Sequence, residues 1–308
     1  MQEEHDNGRA ERYDVHTVTH SSSASSTPSS PVDLPSYFQR IGYAGPRAAT
    51  LEALNGILAA HVRSIPFENL DVLLGRPISL APEDIARKLI TDRRGGYCFE
   101  HNTLLLHVLQ ALGFTVVPVS ARVRIQQPRE YLPPRTHMFL RVEVGGESWL
   151  ADAGVGALSL TGAVKLEADT PQPTPHEPRR IVREGAWTGF AQRAPDARLI
   201  HQAYFADTWN DVCEFTLEAM PEIDRVLANW YTSAHPASHF KHRLIAARAT
   251  AEGRVSLVNR ELRVRGRDGH ADIRQLATPD ELLLALAEHF DLQFPAGTRF
   301  QSPALDWP

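Results

Sequence analysis

The sequence is poor in the residues that would mark several whole classes of protein. Only two cysteines, Cys98 and Cys213, occur in 308 residues, so no disulfide framework is available. No run approaches the roughly 18 consecutive apolar residues that a membrane-spanning helix needs. No second cysteine lies near Cys98, His101 and His107, so a zinc site there lacks its usual paired donors, and no metal is expected. The cluster His235, His239 and His242 fits a polar loop or helix face better than a metal site. Basic residues are not in excess either. Against 37 Asp and Glu stand 32 Lys and Arg, a formal net charge of -5. That balance argues against a chain built to grip nucleic acid or an acidic membrane surface. The opening residues MQEEHDNGRAERYDVHT carry early acids and no apolar stretch, unlike a secretory signal or a transit peptide. A cytoplasmic protein with reduced thiols is expected.

The composition, 43% hydrophobic and 22% charged, is that of an ordinary globular chain. Residues 1–33 stand apart: the run HSSSASSTPSSP is nearly free of large apolar groups, and a disordered tail is expected there. From Asp33 to about Phe114 the apolar spacing is helical. Thr50 can cap a helix bearing Leu51, Leu54, Ile57, Leu58, Val62 and Ile65. Pro82 suits the first turn of another. A third begins at Cys98 and is stopped by Gly113. After Phe114 the grammar changes to β-branched, alternating segments such as TVVPVSARVRI, HMFLRVEV and SWLAD. Strand-like runs continue less distinctly to about Leu217. A helix follows from Pro221 to Tyr231, then RLIAARAT and RVSLVN as a hairpin around Gly253. A last helix runs from Thr278, with Glu281 completing a capping box, to about Phe290.

Cys98 sits where a nucleophile would be favoured. At a helix N-terminus the free N–H groups and the positive end of the dipole stabilise an anion, and the thiolate is the reactive form. Arg93 and Arg94 would add positive potential, and Gly95 and Gly96 would allow a sharp bend and a close approach of substrate. An ordinary buried thiol is the competing reading. Cys213, in a strand-like stretch, reads as structural. A cysteine enzyme also needs a base and a group that orients it. If Gly145-Gly146 is a two-residue turn, Val144 faces Glu147, and Asp152 lies opposite Phe139 on the face that carries His137. The two side chains are then diagonal neighbours within reach. A half-buried histidine and a solvated aspartate are the alternative.

The stretch Arg94-Gly95-Gly96-Tyr97-Cys98-Phe99-Glu100-His101-Asn102 resembles the nucleophile motif of the arylamine N-acetyltransferases. IPFENLDVLLGRPI, THMFLRV and ADAGVG resemble the family's other landmarks, in the same order. The intervals, 39 residues from Cys98 to His137 and 15 from His137 to Asp152, match as well. The resemblance runs from about residue 34 to the closing PALDWP. It implies an α+β fold with a cysteine-protease/transglutaminase-like core. Residues 34–117 would form a helical bundle with the nucleophile, residues 118–220 a β-barrel-like domain with His137 and Asp152, and residues 221–308 an α/β lid.

It further implies a Cys98–His137–Asp152 triad and ping-pong acetyl transfer from acetyl-CoA, a co-substrate rather than a tightly bound cofactor. The acceptors implied are arylamines, arylhydrazines or N-hydroxyarylamines. Phe67, Val123 and Val155 would line the acceptor pocket. Thr136, Gly154, Gly156 and Phe240 would border the coenzyme A cleft. Val155 stands where relatives often carry phenylalanine, which implies a wider acceptor pocket. Two other readings remain: an amide synthase using a carrier-bound acyl donor, and a non-catalytic aromatic-ligand binding module. Neither nucleic acid nor a membrane is an expected partner, and the sequence is compatible with a monomer or a homodimer.

Overall fold

The computed structural model describes residues 31–185 and 197–307. The expected tail lies outside them except at residues 31–33, where Val32 is buried in the core. The first third is helical, as its periodicity indicates. α1 (Leu34–Ile41) and α2 (Leu51–Ser64) come first, the latter capped by the Thr50 hydroxyl, which accepts from the Ala53 N–H. A short strand β1 (Phe67–Glu68) and helix α3 (Leu70–Leu73) follow. α4 (Pro82–Ala86) starts at its proline and widens into a π-helical turn, Arg87–Thr91. α5 (Cys98–Ala111) is buried along most of its length, including the polar Glu100, His101, Asn102 and Thr103 near its start.

A seven-stranded antiparallel sheet comes next. It comprises β2 (Thr115–Val123), β3 (His137–Val144), β4 (Glu147–Ala151), β5 (Val164–Lys165), β6 (Arg179–Glu184), β7 (Arg198–Phe205) and β8 (Thr208–Ala219). Their order is β5-β4-β3-β2-β8-β7-β6. Backbone bridges from Ala168 to Ile181 and from Gln172 to Arg179 bring the chain after β5 back onto β6, so the sheet nearly closes into a barrel. The hairpin forms as the glycines demand: Gly145 and Gly146 both take positive φ, and Val144 pairs with Glu147.

The chain then forms α6 (Glu222–Ala234), a 3-10 turn (His239–Lys241), β9 (Ile245–Ala249), β10 (Gly253–Val258), β11 (Glu261–Gly266), β12 (Ala271–Gln275) and α7 (Pro279–Phe290). The expected hairpin around Gly253 is the β9–β10 pair. The expected capping box at α7 is half formed. The Thr278 hydroxyl accepts from Glu281 N–H, but the Glu281 carboxylate turns to the N–H of Ala277. Strands β11 and β12 escaped the sequence reading because the run ELRVRGRDGH is dominated by charge and glycine. β1 escaped too, being two residues long. It leaves the helical region to join the C-terminal sheet, whose order is β1-β9-β10-β11-β12. That pairing ties the helices beneath Cys98 to the lid.

A buried proton chain braces the helices. The Pro66 carbonyl can only accept, so His101 Nε2 donates to it at 3.1 Å. His101 Nδ1 must then accept from His61 Nε2 at 2.8 Å, and His61 Nδ1 from the Tyr37 hydroxyl at 2.9 Å. Both rings are fully buried and neutral in this pattern. Burial draws His101 down to about 4 and His61 well below its ordinary value. A histidine held neutral stabilises the fold fully above its unfolded pKa of about 6.5, and that contribution fades as pH falls toward about 4. The expected result is a loss on the order of 2–3 kcal/mol across this window. A melting temperature that stays flat between about pH 7 and pH 5 contradicts it.

Candidate active site

Cys98 is the first residue of α5, only 4% exposed, and lines a cavity of about 1480 Å³. The glycines ahead of it serve a purpose other than substrate access. A side chain on Gly95 would strike the Pro66 carbonyl oxygen at 2.1 Å, and one on Gly96 the Glu100 side chain at 2.7–2.9 Å. They let β1 and Glu100 close onto the nucleophile turn, where Glu100 accepts from the Tyr97 N–H at 3.0 Å.

The two arginines also differ from expectation. Arg94 is spent on Glu68 (2.7 Å) and Asp71 (3.2 Å), and Arg93 reaches outward to Asp291. The thiol itself is pushed up, not down. Burial is the largest cause and the Asp152 charge adds to it, while the N–H groups of Phe99 and Met138 act in the opposite sense. A lone thiolate is therefore unfavourable here. Ionisation requires a proton acceptor in the same enclosed space.

The candidate for that acceptor is His137. His137, the first residue of β3, lines the same cavity. The Cys98 thiol lies 3.4 Å from the carbonyl oxygen of Thr136, its chain neighbour. His137 Nε2 hydrogen-bonds to Asp152 Oδ2 at 2.8 Å, both side chains being almost wholly buried. Nδ1 is the ring nitrogen that Asp152 does not engage. Burial works to raise the Asp152 pKa. The neighbouring His137 ring and its hydrogen bond oppose it, with hydrogen bonds from Asn102 and the Gly154 N–H, and the carboxyl ends below its usual range. Asp152 thus stays ionised and holds the imidazole in one tautomer.

Asn102 is the residue that sequence reasoning missed. Its amide donates to Asp152 Oδ1 at 2.9 Å and to the Met138 carbonyl at 2.6 Å, and it accepts from the Ala153 N–H at 3.0 Å. It stands four residues after Cys98, on the same helix face, and that spacing is the signal that would have found it. Helix and barrel are pressed together at this point. A Cβ on Gly154 would lie 2.6 Å from Cys98 Cα and 2.9 Å from Asn102 Nδ2. Gly154→Ala is expected to cost on the order of 1–3 kcal/mol and to slow acylation of Cys98 by shifting the sulfur. Thermal melting and the acylation rate check this, and an unchanged rate refutes it.

With this geometry established, comparison with known proteins is decisive. An N-acetyltransferase family model matches residues 50–298. The arylamine N-acetyltransferase of Mycobacterium tuberculosis is 42% identical over 265 residues, covering 85% of this chain and 89% of the relative. The chain belongs to the arylamine N-acetyltransferase family. Among solved structures, the M. smegmatis arylamine N-acetyltransferase aligns with a TM-score of 0.80 at 37% identity, over 90% of this chain and 98% of that one. The Mycobacterium marinum enzyme in complex with CoA aligns with a TM-score of 0.77 at 35% identity, over 84% and 92%. This acetyltransferase-family chain is therefore an α+β enzyme whose reaction class is acetyl transfer.

The remaining residues singled out by the family motifs all line the cavity that holds Cys98: Phe67, Val123, Val155, Thr136, Gly154, Gly156 and Phe240. Phe240 packs edge-on against Phe67 at 6.1 Å, and Gly156, at φ +83°, abuts the Phe67 ring. Cys213 is fully buried in β8 and is not part of the cavity lining. Among the described residues no group of three or more His, Cys, Asp or Glu is placed to hold a metal ion. No described helix is long and apolar enough to cross a membrane.

Proposed function

We propose that this protein acetylates arylamines, arylhydrazines and N-hydroxyarylamines through an acetyl-cysteine at Cys98, in a ping-pong cycle with acetyl-CoA. The observation that carries the reading is the buried His137–Asp152 pair, whose histidine lines the cavity that contains the thiol. His137 Nδ1 takes the Cys98 proton as sulfur attacks the thioester carbonyl, so that the thiolate arises only as half of an ion pair. The new S–C bond puts negative charge on the carbonyl oxygen. The Cys98 N–H, at the first helical position and without an acceptor in its own helix, is the donor we assign to that oxygen. Collapse expels coenzyme A, which leaves with the proton from His137. The acceptor nitrogen or hydroxyl then attacks the acetyl-cysteine and gives its proton to His137, and Cys98 returns as the leaving group.

In this reading residues 34–117 carry the nucleophile, residues 118–220 the base and its carboxylate, and residues 221–308 the lid. Phe67, Val123 and Val155 receive the acceptor ring, and the small Val155 leaves room for bulkier aromatic amines. Thr136, Gly154, Gly156 and Phe240 border the thioester end of acetyl-CoA. The test is intact mass after incubation with acetyl-CoA and no amine. A single acetyl adduct, discharged on adding an aromatic amine, is expected; no adduct, or one that an amine leaves in place, overturns the proposal.

A further inference from the structure

The C-terminal sheet ends in an open strand. β12 lies last in the order β1-β9-β10-β11-β12, and four of its five residues are exposed. Among the described residues its one strand neighbour is β11, which it meets antiparallel. Leu262 pairs with Arg274, Arg263 with Ile273 and Val264 with Asp272. An unpaired edge is a template for another strand, and proteins commonly blunt it with proline, a bulge or charge. β12 holds no proline, and its register with β11 runs without a shift. It does carry charge: Asp272 and Arg274 stand on either side of Ile273, which is 52% exposed.

The hydrogen bonds at the two ends of this pairing fix which backbone groups face outward. The Gly266 N–H donates to the His270 carbonyl, and the Leu276 N–H to the Arg260 carbonyl. In an antiparallel ladder such bonded positions recur at every second residue. Asp272 and Arg274 therefore turn their backbone groups toward β11. Ala271, Ile273 and Gln275 turn theirs to the open edge. Side chains alternate between the faces in the same way. Arg274 lies beside Leu262, which packs with α7, and its guanidinium reaches Glu281 of that helix at 3.3 Å. Asp272 shares this face, and Ile273 lies on the opposite one beside Arg263.

One arrangement meets all of these features. We infer that β12 is the contact surface for a second copy of this chain, paired antiparallel about a two-fold axis at Ile273. Ile273 then faces the partner's Ile273, and Ala271 faces the partner's Gln275. The outward N–H and C=O groups close about six hydrogen bonds across the join. Asp272 falls opposite the partner's Arg274, and Arg274 opposite the partner's Asp272. These are the non-bonded positions, where facing side chains lie closest. The charges also select this register. A slip of two residues sets Asp272 against Asp272 or Arg274 against Arg274, and in-register parallel pairing sets like beside like. A two-fold contact requires a surface that complements itself, and the segment ADIRQ does so. Leu284, 53% exposed and one turn beyond Glu281 on α7, flanks the same border.

Sedimentation velocity on the full chain, from about 1 to 200 µM, reads the result; an interface this small should give a dimer with a Kd on the order of 10 µM. Ile273→Pro removes an N–H that points to the open edge, so its own sheet keeps every bond. It is expected to weaken the dimer at least about tenfold, two bonds being lost across the axis. The charges are tested by mixing. Asp272→Arg alone and Arg274→Asp alone place like charges across the join, and each should be monomeric. An equimolar mixture restores opposite charges at every pair and should dimerise. Ile273→Cys should cross-link to its mate under mild oxidation, whereas Gln275→Cys, four residues from its mate in this register, should not. The native Cys98 and Cys213 are buried and do not interfere. Arg274→Asp also forfeits the contact with Glu281, so the proline and cysteine variants keep the test valid if that change unsettles α7. A wild type still monomeric at about 200 µM overturns the assignment. So does a dimer that survives Ile273→Pro, a mixture that fails to dimerise although both variants are folded, or cross-linking through Gln275→Cys equal to that through Ile273→Cys.

Discussion

Cys98→Ala is expected to lower acetyl transfer by at least about 10⁴-fold and to abolish the acetyl adduct in intact-mass measurements. The fold should survive, because the change removes one sulfur atom from a packed site at a cost of about 1 kcal/mol. Among the described residues no other cysteine lines the cavity, and Cys213 is sealed in β8. Serine is not expected to substitute. Burial already raises the thiol, and a hydroxyl starts from a far weaker acidity in the same enclosed space. A normal adduct in the alanine variant, mapped to any other side chain, would remove Cys98 from the mechanism.

Asp152→Asn should have the next largest effect, a loss of about 10³–10⁴-fold with little change in melting temperature. The hydrogen bonds specify how the amide would sit. Asp152 Oδ1 accepts from the Asn102 amide and from the Gly154 N–H, so the asparagine oxygen must take that place. Its NH₂ group then faces His137 Nε2, where the carboxylate oxygen Oδ2 now lies at 2.8 Å. A donor at that point forces Nε2 to accept and moves the ring proton to Nδ1. The imidazole would then present a proton to sulfur instead of a lone pair. The measurement is kcat/KM near neutral pH together with the pH profile of Cys98 alkylation. An Asp152→Asn variant that keeps more than about a tenth of wild-type activity would show that the tautomer is not set by this contact.

The elements that could be read in advance are those governed by neighbours in the chain. Thr50 caps α2, Pro82 opens α4, and the Gly145-Gly146 turn sets a register that brings Asp152 alongside His137. The elements that escaped depend on distant partners. β1 exists only because β9 pairs with it, and β11 and β12 are strands because β10 pairs with β11 and β11 in turn with β12. Asn102 was visible at a four-residue interval from Cys98, but its role needed Asp152 and Met138 to arrive from the barrel. The open edge of β12 needs β11 on its other side, and so was hidden with it.

By itself the sequence determined the helix starts and the hairpin, because capping and turn preferences act over a few residues, while the trio Cys98, His137 and Asp152 was singled out by the resemblance to the family's motifs. Only the tertiary structure decided how that thiol can ionise. The N-terminal position on α5 favours an anion, yet enclosure by helices, barrel and lid outweighs it, and Arg93 and Arg94 are turned to other carboxylates. Solvent exclusion is a property of all the surrounding elements together, which is why the raised thiol could not be derived from the residues around Cys98 alone.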